Sequence, residues 1–123
     1  MNDARREKLE RQLAAAESEY RRKLIDALSR CAGGYWGLLG HNDHPDLRED
    51  LRTEMYEGSG GAELDRLGAE IAELRDRLGL FEPFTLHARL QAERVRKDPN
   101  RPGEPKLARA WLGELAAEPN SSL

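Results

Sequence analysis

The first third of the chain shows a helical pattern of apolar positions. These positions follow one another at steps of three and four residues, and they comprise Leu9, Leu13, Ala16, Tyr20, Leu24, Ala27 or Leu28, and Cys31. Because neither glycine nor proline interrupts residues 4–32, the pattern predicts one long amphipathic helix. The apolar stripe is narrow at Leu9 and Leu13 and wider from Leu24 onward. We therefore expect the second half of this helix in the core, and the first half either protruding or against a second subunit.

A stricter apolar pattern occupies residues 62–79. Steps of three and four alternate along a seam formed by Leu64, Leu67, Ile71, Leu74 and Leu78, as at the core positions of a coiled coil. The seam covers only about two heptads, which is too short for an independent coiled coil. We therefore predict a long helical hairpin, in which residues of about 62–79 pack antiparallel on residues of about 4–32.

Three shorter helices are predicted to pack on this hairpin, at about residues 45–57, 84–97 and 105–117. Pro45, Pro83 and Pro105 stand at or beside their starts, where the helix needs no amide donor. No strand-like alternation of apolar and polar residues is present. The sequence predicts an all-α fold, with a single helical domain at residues 1–118 and a disordered tail at 119–123.

Composition adds to this picture. The chain has 123 residues, of which 35% are charged and 38% hydrophobic, and its formal net charge is −3. This length favours one domain, and so polar a chain suggests an elongated shape, an oligomer or partial disorder. The negative net charge gives no electrostatic reason to expect a nucleic-acid partner.

The N-terminus and the single cysteine bear on the compartment. Residues 1–7 are rich in charge and no apolar run follows them, unlike a signal peptide, and no apolar cluster is long enough to span a bilayer. Cys31 is the one cysteine, so the chain forms no internal disulfide, as is usual in a reducing compartment. We predict a cytoplasmic protein without a membrane partner.

The segment 33–46 has the least ordinary composition. It combines glycines with two aromatic residues, two histidines and an aspartate, namely Tyr35, Trp36, His41, Asp43 and His44. One interpretation is a structural loop that folds over the end of the hairpin, with Tyr35, Trp36, Leu38 and Leu39 filling the core. The other is a small-molecule or metal site lined by the aromatic and imidazole side chains. The spacing of the histidines specifies no metal geometry, so we predict neither a metal nor a cofactor.

The sequence contains no complete catalytic set. A Gly-x-Ser-x-Gly nucleophile motif is missing. Cys31 with His41 or His44 is a possible thiol and base pair, but Cys31 also continues the apolar stripe of the first helix, where a buried cysteine is ordinary. We favour the buried cysteine and predict no catalytic residue.

The last predicted helix offers a possible partner contact. Leu107, Trp111 and Leu115 recur at every fourth position, the spacing with which an amphipathic helix anchors in a groove. The alternative is that this helix folds back onto its own bundle. In the first helix, acidic residues precede many basic ones by four positions, as Glu17 precedes Arg21, which favours a solvated face over a phosphate-binding one.

Together these patterns favour a non-enzymatic helical interaction or regulatory module that forms a homodimer. Its contact with a protein partner would use the loop at 35–44 or the Trp111 helix. A small-molecule or metal-binding protein that uses residues 33–46 is the alternative. A nucleic-acid-binding helical protein is a second alternative, which the net charge disfavours.

Overall fold

The computed structural model describes residues 2–39, 48–95, 98 and 100–118. This part of the chain forms five α-helices and no β-strand: α1 Asp3–Ala32, α2 Glu49–Gly58, α3 Gly61–Arg77, α4 Thr85–Val95 and α5 Glu104–Ala117. The prediction of an all-α fold is confirmed. None of these helices is long and apolar enough to cross a membrane.

The predicted hairpin of α1 and α3 is present. Near the C-terminal end of α1, Arg30 Nη2 donates a hydrogen bond of 3.1 Å to the carbonyl of Ser59, which precedes α3. Near the C-terminal end of α3, Arg75 Nη1 lies 3.1 Å from a carboxylate oxygen of Glu17. The two helices therefore run antiparallel.

The last helix, α5, also packs on α1. Glu104, its first residue, lies beside Cys31, with 3.8 Å between Sγ and Oε2. Near its other end, the carbonyl of Leu115 accepts a hydrogen bond of 2.8 Å from Arg21 Nη2. The C-terminal helix thus folds back antiparallel onto its own bundle, and α1 contacts both α3 and α5.

Charged residues on the flanks of α1 connect it to neighbouring segments. Glu17 pairs with Arg75 on α3, and Arg21 pairs with Glu118 after α5 at 2.6 Å. The predicted pairing of Glu17 with Arg21 along α1 is therefore replaced by contacts between elements, because α1 has a helix on each of these flanks.

The core is one cluster that runs the length of α1. Of the two alternatives for the first half of α1, protrusion is wrong, since Leu9 and Leu13 are each 7% exposed within the chain. Contact with a second subunit stays a prediction. The turn after α3 brings Leu78 and Leu80 beside Leu13. The largest fully buried side chains are Trp111, Tyr20, Leu24, Leu28, Leu38, Leu39, Leu64, Leu67, Ile71, Leu90, Leu115 and Cys31.

The start of α1 follows a local signal, whereas α2 begins at Glu49, after an extended Arg48, and not at about residue 45 as predicted. Asn2 Oδ1 accepts a hydrogen bond of 2.8 Å from the amide of Arg5 and caps α1. The third helix begins at Gly61 and ends at Arg77, within two residues of its predicted bounds. Residues 40–47, 96–97 and 119–123, on which parts of two predicted helices and the predicted tail fall, lie outside the described residues.

Candidate interaction surface

A groove of about 290 Å³ lies between the end of α3 and the start of α4. Its apolar lining combines small residues of both helices with larger ones of the connecting segment, namely Gly68, Ala72, Leu80, Phe81, Pro83, Phe84 and Ala88. Phe81 is 82% exposed and Leu80 is 41% exposed. Single exposed apolar residues are common, but two large ones beside an apolar groove make this region the candidate for an interaction surface. We refer to Leu80, Phe81 and this groove as the Phe81 surface.

Hydrogen bonds fix the turn that carries Phe81. Gly79 follows α3 with a φ of +73°, a left-handed conformation that suits glycine. The amide of Leu80 donates a hydrogen bond of 2.8 Å to the carbonyl of Arg75, as in a Schellman motif. Arg75 Nε in turn donates to the carbonyl of Glu82 at 3.0 Å. Phe81 is therefore held outward by a turn that is anchored on both sides.

A polar network lies behind the groove and is centred on His87 of α4. The hydroxyl oxygen of Tyr20 is 2.6 Å from Nδ1 of His87, and Nε2 of His87 is 3.7 Å from Oδ1 of Asp65. Tyr56 donates a hydrogen bond of 2.7 Å to the same oxygen of Asp65. The guanidinium carbon of Arg94 lies 3.3 Å from the centroid of the Tyr56 ring, in a cation–π contact. The network joins α1, α2, α3 and α4.

Burial determines the protonation of this network. It raises the pKa of the Tyr20 phenol far above its ordinary value, with smaller contributions from Tyr56 and Asp65. Burial also lowers the pKa of His87, although Asp65 acts in the opposite direction. We therefore assign a neutral His87 ring, whose Nδ1 accepts a hydrogen bond from the Tyr20 hydroxyl and whose own proton is on Nε2, on the side of Asp65. Because Nδ1 already accepts a hydrogen bond from Tyr20 and Nε2 carries the proton, the neutral His87 ring offers the groove no free base.

Gly68 makes this packing possible. A Cβ at residue 68 would lie 2.4 Å from Cδ2 and 2.6 Å from Nε2 of His87, closer than real Cβ atoms come. The His87 ring thus contacts the backbone of α3 on one side, and the ring of Tyr20 meets it edge-on at 5.4 Å. Sequence analysis did not select His87. Its one local signal is its position on the apolar face of α4, three residues from Phe84 and three from Leu90.

The glycine-rich loop is tied to α5 by a buried carboxylate. The amides of Gly37, Leu38 and Leu39 lie 2.9, 3.2 and 3.2 Å from carboxylate oxygens of Glu104. Glu104 is 4% exposed, so it occupies the anion-binding concavity that successive amides create. The described part of this loop therefore serves the chain's own core.

The described residues of the glycine-rich loop lie in different environments. Tyr35 is 47% exposed, and Trp36 is half-buried, with its carbonyl accepting a hydrogen bond of 3.0 Å from Ser59 Oγ. Leu38 and Leu39 fill the core, because the bonds to the carboxylate draw their backbone inward. The expectation that Tyr35 also fills the core is wrong. The remaining predicted loop residues, His41, Asp43 and His44, lie outside the described residues.

Cys31 is buried, as predicted, with 1% exposure. Burial raises the pKa of its thiol to about 12, and the nearby Glu104 carboxylate acts in the same direction. The side chain therefore remains a protonated thiol and a poor nucleophile. Among the residues that the structure describes, no group of three or more histidine, cysteine or acidic side chains is arranged to hold a metal ion.

The predicted anchors of the last helix face inward. Trp111 and Leu115 are each 2% exposed, and Leu107 is partly buried against the same core. The guanidinium of Arg89 covers the Trp111 ring at 4.4 Å from its centroid. A partner that used these anchors would have to displace α5 from α1. Their role in partner binding stays a prediction.

Comparison with known proteins assigns no relative. The chain matches no protein family, no curated protein and no solved structure. Its function is therefore inferred from the geometry of the described residues.

Proposed function

We propose that the chain is a non-enzymatic helical protein–protein interaction module that contacts its partner through the Phe81 surface. The observation that carries this proposal is the 82% exposure of Phe81 beside an apolar groove, in a turn fixed by Arg75. Burying a phenylalanine side chain contributes roughly 1.5–3 kcal/mol relative to leaving it in water. Burial of Phe81 by another protein would contribute this free energy to binding.

The side chains with perturbed pKa values support binding rather than catalysis. The Cys31 thiol and the Tyr20 phenol are buried and keep their protons, and the one nitrogen of neutral His87 that can accept a proton is already bonded to the Tyr20 hydroxyl. Perturbed groups often mark catalytic sites, but these three hold helices together. The groove consequently offers apolar contact area in which none of these three groups is available as a nucleophile or a base.

The proposal includes the homodimer and the cytoplasmic location that the sequence predicts. The exposed Phe81 surface supports an association between proteins, and the single buried thiol is compatible with a reducing compartment.

Site-specific photocrosslinking in the host cell tests this proposal. A photoreactive phenylalanine analogue, benzoylphenylalanine, replaces Phe81 in one variant and Val95 in the control, because Val95 is also apolar and is 76% exposed. We expect irradiation to give a covalent protein adduct from position 81 and little adduct from position 95. Equal adducts from both positions, or none from position 81 in a folded chain, would contradict the proposal.

A further inference from the structure

We infer that the partner covering the Phe81 surface is a second copy of the same chain, in a two-fold dimer in which each Phe81 side chain occupies the groove of the other copy. This inference rests on the proposed function and names the occupant of the same surface.

The shape of the surface is self-complementary. Phe81 projects at the rim of the groove, and the neighbouring wall contains the small residues Gly68, Ala72 and Ala88. Each chain thus carries a large apolar projection and a depression lined by small residues side by side. A two-fold axis brings each projection to the depression of the other copy, which makes a closed, isologous contact.

Charged residues of both signs lie at the end of α3 and in the turn that carries Phe81. The carboxylates of Asp76 and Glu82 belong to residues that line the groove, and the side chain of Arg77 is 57% exposed. Arg77 pairs with Glu73 on the helix surface at 2.9 Å, and exposed pairs of this kind contribute little to stability. In a two-fold contact both copies bring these groups to one interface, so an acidic residue of one copy can face Arg77 of the other.

The apolar surface continues past Leu80 toward α1. A second groove, of about 250 Å³, lies there and is lined by Arg6, Glu10, Leu13, Ala14, Glu17, Leu78 and Leu80. A stable interface buries about 800 Å² on each partner, which is more than one phenylalanine supplies. The two grooves share Leu80, and together they give a second copy a continuous surface from α1 to α4.

Sedimentation equilibrium of the full-length chain over a wide concentration range tests this inference. Phe81→Ala removes the projection, Ala88→Trp fills the groove, and Val95→Ala is the matched control outside it. A two-fold dimer contains two insertions of Phe81 into a groove, and a homodimer of either of the first two variants lacks both. We therefore expect the dissociation constant to rise at least about tenfold. The control should dimerise like the parent chain. Circular dichroism checks folding, and Ala72→Trp replaces Ala88→Trp if the latter reduces helicity.

Mixing the two interface variants gives a second, independent result. Their heterodimer keeps one intact contact, because Phe81 of the Ala88→Trp copy meets the open groove of the Phe81→Ala copy. We expect the mixture to associate more tightly than either variant alone. A parent chain that stays monomeric at every concentration, or a Phe81→Ala variant that dimerises like the parent, overturns the inference. Crosslinking from position 81 to a different protein would overturn the homodimer while leaving the proposed contact of the Phe81 surface with a partner protein standing. A lack of any adduct would remove both.

Discussion

Replacing Gly68 with alanine is expected to destabilise the bundle, although alanine favours helices. Inside a helix the change from glycine to alanine normally stabilises by about 1 kcal/mol. At residue 68, however, the new Cβ would lie 2.4 Å from the His87 ring. Moving the ring away from α3 would break the contact of its Nδ1 with the hydroxyl of Tyr20, which is now 2.6 Å away and belongs to a fully buried side chain.

Gly68→Ala has two destabilising contributions and one stabilising contribution to the free energy of unfolding. Overpacking a close-packed site lowers stability by roughly 1–3 kcal/mol, and leaving the buried Tyr20 hydroxyl without its partner costs about 1–3 kcal/mol. Together these two costs are about 2–6 kcal/mol, and after the helix preference of alanine is subtracted we expect Gly68→Ala to lower the free energy of unfolding by about 1–5 kcal/mol. For a chain of this length the change corresponds to a fall in Tm of roughly 4–20 °C.

Thermal unfolding followed by circular dichroism measures this change, and α5 supplies the matched control. A Cβ at Gly113 would meet no heavy atom of the described chain within 4 Å beyond its own helix backbone, so Gly113→Ala should raise Tm by about 2–4 °C. In a His87→Ala background, where the ring is gone, Gly68→Ala should raise Tm as well. If Gly68→Ala stabilises the parent chain as Gly113→Ala does, the close packing of His87 on α3 is refuted.

Three further predictions concern buried groups. Glu104→Ala leaves three loop amides without their carboxylate and should lower the free energy of unfolding, measured in urea, by roughly 2–4 kcal/mol. The control is Glu114→Ala, which replaces an exposed glutamate of the same helix and should hardly move the midpoint of urea unfolding. Because burial keeps the pKa of His87 below its ordinary value of about 6.5, the unfolded chain binds the proton more readily. The stability that the neutral ring contributes should therefore be complete above about pH 6.5 and decline below it, and urea midpoints of a His87→Gln variant should lack this decline. Cys31 should resist an aromatic disulfide reagent at about pH 8 until urea unfolds the chain, and rapid labelling of the folded chain would show that the thiol is accessible.

The helices could be predicted because their signals are local. The apolar seam from Leu64 to Leu78 marks α3, and the stripe from Leu9 to Cys31 marks α1, since burial of one face imposes the helical period on the sequence. The antiparallel pairing followed from the same pattern, because a seam of this length needs a partner helix. Local spacing also identified Trp111 and Leu115 as members of one apolar face, but it did not distinguish a face turned to a partner from one turned to the chain's own core.

The candidate site could not be predicted because its contacts join distant parts of the chain. Tyr20 and His87 are 67 positions apart, and each fits an ordinary apolar helix face in the sequence. The exposure of Phe81 depends on hydrogen bonds that Arg75 makes to the following turn. The glycine-rich loop resembled a site for an external ligand, whereas the group that its amides bind is Glu104, from the start of the last helix.

The three hydrogen bonds to Glu104 make the loop after α1 dependent on the last helix. During synthesis α1 and α3 can pair once residue 77 has left the ribosome, but Glu104 follows Leu39 by 65 residues. At roughly 5–20 residues per second, this separation corresponds to a delay of about 3–13 s. In that interval water solvates the amides of residues 37–39, and Leu38 and Leu39 lack the cover of α5. The hairpin exists only during the last part of this interval, from the end of α3 at Arg77 to Glu104, which lasts about 1–5 s. In that time its uncovered end is open to chaperones.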